Sequence, residues 1–291
     1  MKNRRTGKDL IFVMLFTYSY IHVKAIIICI AVCLALFSGC VGKDSKADVI
    51  IAGSTTVQPI VAKASEVHEE KHPGVSIGVQ GGGSGTGIRM VGEGSVSIGA
   101  SSRELSGEEK AEHPDLYPTT IAIDCIAIVV HPSNPLANAS LTIEQVRDIF
   151  SGKITNYKEL GGLDGRIVLV EREDGSGTRS MFESMVMNNT DVSDGALQKP
   201  ASGAIRFTVS GNENAVGYVG IGYLDGSIAP VAINGVAPTE ENVRTKRYPL
   251  TRNLYLITKG EPAGQAKDFI DYILSDEGQD IVREEGFIKI K

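Results

Sequence analysis

Three short loops in this chain carry one chemistry: Gly53-Ser54-Thr55-Thr56, Gly81-Gly82-Gly83-Ser84-Gly85-Thr86-Gly87 and Arg172-Glu173-Asp174-Gly175-Ser176-Gly177-Thr178. In each, an apolar run breaks into glycines and small hydroxyl residues and resumes as an amphipathic helix. Backbone N–H groups and the positive end of a helix dipole then lie beside Ser or Thr hydroxyls, the arrangement that holds a dehydrated oxyanion. One such loop is equally a plain helix cap. Three in one chain, one of them with an arginine, predict a shared anion. The Arg172 guanidinium offers a planar pair of donors, and Ser176, Gly177 and Thr178 add hydroxyls and N–H groups at a helix start. The alternative for that loop is a surface turn with Arg172 paired to Glu173 or Asp174. Ser101-Ser102-Arg103 is a fourth polar strand end of the same kind.

The elements that position these loops follow from periodicity. A strand is expected at 48–52, a helix at 57–71 with Val57, Ile60, Val61, Ala64 and Val67 on one face, a strand at 74–80, a short helix from near Gly87 and a strand at 95–100. Repeated strand, loop and helix predict a largely parallel sheet with ligands at the carboxyl ends of its strands. The run 121–130 reads as a buried strand, in which Cys125 acts as a small hydrophobe. Further on, helices are expected at 142–150, 178–187, 263–271 and 277–285, strands at 167–171 and 253–258, and a glycine-spaced strand or turn at 215–223. No internal repeat or low-complexity tract interrupts this pattern.

Two sequence motifs suggest other chemistry. His68-Glu69-Glu70-Lys71-His72 matches the zinc-hydrolase signature, in which two histidines one turn apart bind the metal and the glutamate activates water. Pro73-Gly74 closes the helix at the second histidine, so a solvated C-terminal turn is expected instead. Gly74-Val75-Ser76-Ile77-Gly78 matches the nucleophile elbow, but its serine lies among the alternating Val75, Ile77 and Val79, which predicts a mid-strand position. No Gly-Lys-Ser/Thr follows any of the glycine loops, which argues against ATP use, and no cofactor is expected.

The chain has 291 residues, of which 42% are hydrophobic and 22% charged, the balance of a globular protein large enough for two modest domains. Residues 25–37 form an unbroken apolar run after Lys24, ending in Ser38-Gly39-Cys40. This reads as an export signal over 1–39 with Cys40 as a lipidation site and 40–47 as a tether, although Phe37 stands where Leu or Val is usual. A second short run, 11–16, makes Met14 a candidate start, and an uncleaved anchor over 10–37 is the alternative. Cys29 and Cys33 lie in the removable segment, so Cys125 has no disulfide partner. Residues 1–39 hold five of the 29 basic residues and one of the 35 acidic ones; the remainder carries 24 against 34, a net charge of −10. Such a surface argues against nucleic acid or an anionic membrane face as partner, and an anion must be captured by local dipoles.

Taken together with Leu141-Thr142-Ile143-Glu144-Gln145-Val146-Arg147-Asp148-Ile149-Phe150-Ser151-Gly152-Lys153-Ile154, Asn156-Tyr157-Lys158-Glu159-Leu160-Gly161-Gly162 and Ala215-Val216-Gly217-Tyr218, the loops resemble the phosphate-binding subunit of ABC-type phosphate importers over essentially all of the chain after the signal. The resemblance implies a two-lobed α/β fold of the periplasmic-binding-protein type, each lobe a mixed sheet flanked by helices, with lobe 1 at 48–126 plus 254–291 and lobe 2 at 127–253. It implies inorganic phosphate enclosed between the lobes, a membrane permease as partner, a lipid anchor and no catalysis. Its site residues would be Ser54, Thr55, Thr56, Ser84, Ser101, Ser102, Arg172, Ser176, Gly177 and Thr178, with Arg172 the only formal positive charge on the anion. Many members have an aspartate at the position of Ser102 that accepts a proton from phosphate. Here Ser101 or Ser102 would have to accept it, which weakens the chemical basis for rejecting sulfate. Other tetrahedral oxyanions, a zinc hydrolase through His68 and His72, and a phosphatase or phosphate-sensing protein on the same fold are the alternatives.

Overall fold

A computed structural model describes residues 47–291. The expected signal, Cys40 and nearly all of the tether lie outside them. In chain order the elements are β1 (Val49–Gly53), α1 (Gln58–Lys71), β2 (Ile77–Gln80), α2 (Ser84–Gly92), β3 (Ile98–Ser101), α3 (Gly107–Glu112) and the long β4 (Leu116–Val130). There follow β5 (Ser140–Leu141), α4 (Ile143–Phe150), β6 (Val168–Arg172), α5 (Gly177–Phe182), β7 (Leu197–Lys199), α6 (Ser202–Ser210) and β8 (Ala215–Gly220). β9 (Ala229–Pro230), β10 (Ala232–Ile233), α7 (Glu240–Arg244), β11 (Thr251–Lys259), α8 (Gly264–Leu274) and α9 (Asp276–Glu284) complete the chain.

The main sheet runs β2-β1-β3-β11-β4-β8-β6-β7, with β9 added against β4. Its flanks are parallel, at β1–β2, β1–β3, β6–β8 and β6–β7, as the strand-loop-helix rhythm predicts. The centre is antiparallel, because β11 returns from the far end of the chain between β3 and β4, and β4 pairs with β8. The sheet is therefore mixed rather than largely parallel. No rule of local spacing reveals a strand inserted from 120 or more residues away.

Two lobes share this sheet. Ile51, Ile60, Ile98, Ile121, Leu254 and Phe269 pack into one core, and Ile126, Ile128, Phe150, Phe182, Tyr218 and Leu250 into another. β4 takes part in both, with Ile121 and Ala122 in the first and Cys125, Ile126, Ile128 and Val130 in the second; β11 gives Leu254 and Leu256 to the first, and Leu250, just ahead of it, joins the second. In the second core the Phe182 and Tyr218 rings stack with centroids 4.2 Å apart and Phe150 stands edge-on to Phe182 at 4.7 Å. Such pairs add about 0.5–1.5 kcal/mol each beyond the area they bury.

Helix ends follow the chemistry of capping. Thr142 and Ser106 form capping boxes with Gln145 and Glu109, and Ser275 caps α9. α2 starts at Ser84, earlier than expected, and brings Gly87 against the first strand; a Cβ there would stand 2.5 Å from the Ala52 carbonyl oxygen. Glycine thus stays inside a helix, where it is a poor former, because only its bare Cα lets the helix approach β1 so closely. The expected helix at 178–187 is α5 followed by one π-helical segment, Glu183–Met187.

Candidate functional site

The carboxyl ends of β1, β2, β3, β6 and β7 point into one cleft, and every predicted loop ends there. At the end of β1, Ser54 N–H donates to the Ala100 carbonyl (2.8 Å), while Ser54 Oγ accepts from the N–H groups of Thr56 (3.2 Å) and Val57 (3.4 Å). Ser54 Oγ thus accepts within its own turn, and its proton is left for another acceptor. That turn presents Thr55 and Thr56. Thr56 Oγ1 lies 3.0 Å from Thr178 Oγ1 and 3.3 Å from Ser202 Oγ, and Thr55 Oγ1 accepts from Ser202 N–H at 3.3 Å. Tyr223 OH donates to the Thr55 carbonyl; burial raises its pKa to about 12, so it is a proton donor at any physiological pH.

The glycine loop after β2 carries Ser84, whose Oγ accepts from Ser102 N–H (3.0 Å) and lies 3.3 Å from Ser102 Oγ. Its neighbour Gly85 N–H donates to the Gly175 carbonyl (3.0 Å), which ties the second predicted loop to the third. Gly177 fits against these serines only because it lacks a side chain: a Cβ there would overlap Ser84 Oγ and stand 2.8 Å from Ser102 Oγ. Ser101 is buried too, but its hydroxyl donates to the Arg103 carbonyl (2.7 Å) and accepts from Arg103 N–H (3.3 Å). Of the two serines, only Ser102 reaches the other hydroxyls.

Arg172, the last residue of β6, is 2% exposed. Its Nε donates to the Lys199 carbonyl (3.2 Å), Nη2 to the Pro200 carbonyl (3.1 Å) and Nη1 to Ser202 Oγ (3.2 Å). All three acceptors are neutral. Burial holds its pKa below the ordinary arginine value, and among the described residues no carboxylate comes within 4 Å of it. The expected alternative of a pair with Asp174 is not seen, because Asp174 pairs with Arg179 at 3.0 Å. Ser176 caps α5 by accepting from Arg179 N–H (3.3 Å), leaving Gly177 and Thr178 in the first turn, where N–H groups lack helical partners.

Sequence reasoning missed several groups at this site. Ser202 opens α6 in Ala201-Ser202-Gly203, another small-hydroxyl-glycine start, and it touches Thr55, Thr56 and Arg172. Arg252 brings a second guanidinium, its Nη1 donating to Thr178 Oγ1 at 3.0 Å, so Arg172 is not the only cation beside these hydroxyls. Its partner Asp124 is fully buried and accepts from Arg252 Nε at 2.8 Å. The signal was present in the sequence: Asp124 is the one charge within the apolar run 121–130, and a buried charge demands a partner.

The arrangement is a cluster of hydroxyls and N–H groups around one uncompensated guanidinium. None of the hydroxyls of Thr55, Thr56, Ser84, Ser102, Thr178 and Ser202 bonds to a histidine or carboxylate that could take its proton, among the described residues. The zinc motif lies elsewhere. His68 is 4% exposed rather than solvated, its ring stacked on His72 (4.2 Å) and edge-on to Phe269 (5.6 Å), because α8 covers that face of α1. Among the described residues no three His, Cys, Asp or Glu stand close enough together to hold a metal ion. Ser76 falls one residue ahead of β2 rather than within it, and its carbonyl accepts from the N–H groups of Asp48 and Val49. Its backbone is paired to the start of β1, not bent into an elbow.

Comparison with known proteins agrees with this geometry. The model of the PBP superfamily domain matches residues 42–277. The phosphate-binding protein PstS of Bacillus subtilis (strain 168) is 36% identical over 242 residues, covering 82% of this chain and 80% of its own. A Clostridium perfringens protein assigned as a phosphate ABC transporter substrate-binding protein, solved with phosphate bound, is 44% identical with a TM-score of 0.79, covering 84% of this chain and 99% of its own. An ABC-type phosphate transport receptor from Vibrio cholerae is 34% identical with a TM-score of 0.70, covering 83% and 99%. Matched over most of its length by a family model and by relatives above 30% identity, the chain belongs to the PBP superfamily and, within it, to the family of the PstS phosphate-binding proteins.

Proposed function

We propose that this chain encloses inorganic phosphate between its two lobes and delivers it to the membrane permease of an ABC-type phosphate importer, with no bond made or broken. The observation that carries the reading is Arg172: a buried guanidinium bonded only to neutral acceptors, at the point where the hydroxyl loops converge. A guanidinium has five N–H donors, and three are used by the protein. The two that remain, one on each terminal nitrogen, suit the bidentate grip of a tetrahedral oxyanion, which supplies the missing counter-charge. Thr55, Thr56, Ser84, Ser102, Thr178 and Ser202 surround it with hydroxyls, and Gly177 contributes backbone N–H. Ser54, Ser101 and Ser176 hold turns and caps in place.

The lobes are assigned to 48–126 plus 254–291 and to 127–253. Support comes from the cores, which exchange between Ala122 and Cys125 on β4 and between Leu250, just before β11, and Leu254 within it. Closure about these strands would bring Gly85 to Gly175 and Thr56 to Thr178. The proton of phosphate is assigned to Ser102, the serine facing the cluster. The apolar run 25–37 before Cys40 supports export and anchoring by a lipid on Cys40 at the outer face of the cytoplasmic membrane.

Calorimetric titration of the full-length protein with phosphate, then sulfate, tests the reading. Phosphate binding that disappears in Arg172→Ala is the expected result. Equal affinity for both anions would make this a general oxyanion carrier, and binding of neither would refute the proposal.

A further inference from the structure

Asp124 and Arg252 form a buried ion pair at the one place where the two lobes share strands. They are direct register partners on β4 and β11. Asp124 Oδ2 accepts from Arg252 Nε (2.8 Å), and Nη2 lies 2.7 Å away, off hydrogen-bond alignment; Asp124 Oδ1 accepts from Ile221 N–H (2.8 Å). Immediately beyond the pair, β4 exchanges partners: it pairs with β11 as far as Cys125 and with β8 from Ile126. Gly220 closes over the carboxylate, where a Cβ would stand 2.8 and 3.0 Å from its two oxygens. Both side chains are essentially inaccessible, at 1% and 0%. Removing two charges from water costs about as much as their attraction returns, so a buried pair in an otherwise apolar strand is weak evidence of stabilisation. A task is the better explanation.

That task is visible at Arg252 Nη1, which donates to Thr178 Oγ1 at 3.0 Å. A guanidinium can only donate, so Thr178 must accept, and the single proton of its hydroxyl is forced away from Arg252. It then faces Thr56 Oγ1 (3.0 Å) and the interior of the cleft. Arg172 acts in the same way on Ser202 Oγ. We infer that Arg252, fixed by Asp124, is a positioning residue of the anion site: it turns the Thr178 hydroxyl into an obligate donor toward the anion and couples the strands between the lobes to the cleft. Since Asp124 neutralises it, Arg252 does this without adding net charge, and the field at the anion remains that of Arg172. This inference rests on the phosphate reading above.

The test is phosphate titration of four full-length proteins: unmodified, Asp124→Asn/Arg252→Gln, Thr178→Val, and the triple variant. Replacing both partners avoids leaving a lone buried charge. Loss of one oriented donor to the anion predicts about 10- to 100-fold weaker binding for the double variant. In the Thr178→Val background the same pair of substitutions is expected to change affinity less than about twofold, because no hydroxyl remains to orient. A purely structural role would lower affinity equally in both backgrounds, and that additivity would overturn the inference, as would unchanged affinity in the double variant. Arg252→Lys keeps the charge beside Asp124 but not the planar fork that reaches Thr178 as well. It should also bind weakly, and unmodified affinity there would overturn the inference even if the double variant does not fold. If the unmodified protein binds no phosphate, both readings fall; if it binds and Arg252 is indifferent, only this one does.

Discussion

Replacing Arg172 with methionine should separate function from stability. The side chain keeps its length but loses the charge, the two N–H donors assigned to the anion and the three that hold Lys199, Pro200 and Ser202. Two charge-assisted hydrogen bonds at about 1.5–3 kcal/mol each amount to roughly 3–6 kcal/mol, or about 10²- to 10⁴-fold in phosphate affinity. The effect on the phosphate-free fold has two opposing parts. A desolvated and unneutralised guanidinium is removed, which stabilises, while two carbonyls and a hydroxyl lose their donor, which destabilises. These are of similar size, so the phosphate-free Tm should move by less than about 4 °C in a domain of this length. The unmodified protein should gain Tm as phosphate is added, and the variant should not. Calorimetry reads the affinity and a thermal scan reads both melting temperatures. If Arg172→Met binds phosphate within about tenfold of the unmodified protein, the argument from an uncompensated buried charge is wrong.

Gly177→Ala introduces a methyl group where Ser84 Oγ and Ser102 Oγ already stand, and phosphate affinity should fall at least about tenfold, with the phosphate-free Tm lowered because overpacking costs about 1–3 kcal/mol; unchanged affinity by calorimetry would mean that these loops do not meet around the ligand. Ser102→Ala should narrow the preference for phosphate over sulfate several-fold, whereas Ser101→Ala should not, because the Ser101 hydroxyl is held by the Arg103 backbone; competition titrations with the two anions distinguish them. Burial, then the neighbouring His72, lowers the His68 pKa below its ordinary value near 6.5. The unfolded chain therefore takes up that proton first, so the His68 contribution to stability is complete above about pH 6.5 and declines as the pH falls below it. Melting curves between pH 8 and 5 should show a shallower acid-side decline in His68→Leu than in the unmodified protein.

Local signals in the sequence were strong wherever one turn of chain determines its own shape. Gly53-Ser54-Thr55-Thr56, the Ser84 loop and the Arg172 loop all end at one cleft, since glycine, small hydroxyls and a following helix are a local code. Six helices and most strands are legible for the same reason, with ends displaced by up to five residues, whereas the helices at 107–112, 202–210 and 240–244 are not. Partnership across the chain was not legible. That β11 would slip between β3 and β4 depends on contacts between residues 251–259 and two strands more than 100 residues earlier. Ser101 has the right residue type for a ligand, yet its hydroxyl donates to the Arg103 carbonyl; composition cannot tell a donor to a ligand from a donor to a turn. The burial of His68 is invisible locally because the helix that covers it, α8, lies about 200 residues downstream.

The position of β11 also sets the order in which this protein can become a protein. The strand lies between β3 and β4 and is drawn from the last fifth of the chain, so a chain delivered from its N-terminus must hold two unsatisfied strand edges until residue 259 arrives. Pairings so distant in sequence close slowly, because the entropy of a long loop is lost before any contact compensates it. Neither lobe can finish early, since one core needs Leu254 and Leu256 and the other needs Leu250 and Ile288. A polypeptide that cannot complete its fold until its final segment is present remains threadable for longer, and that delay would suit the export proposed for this chain.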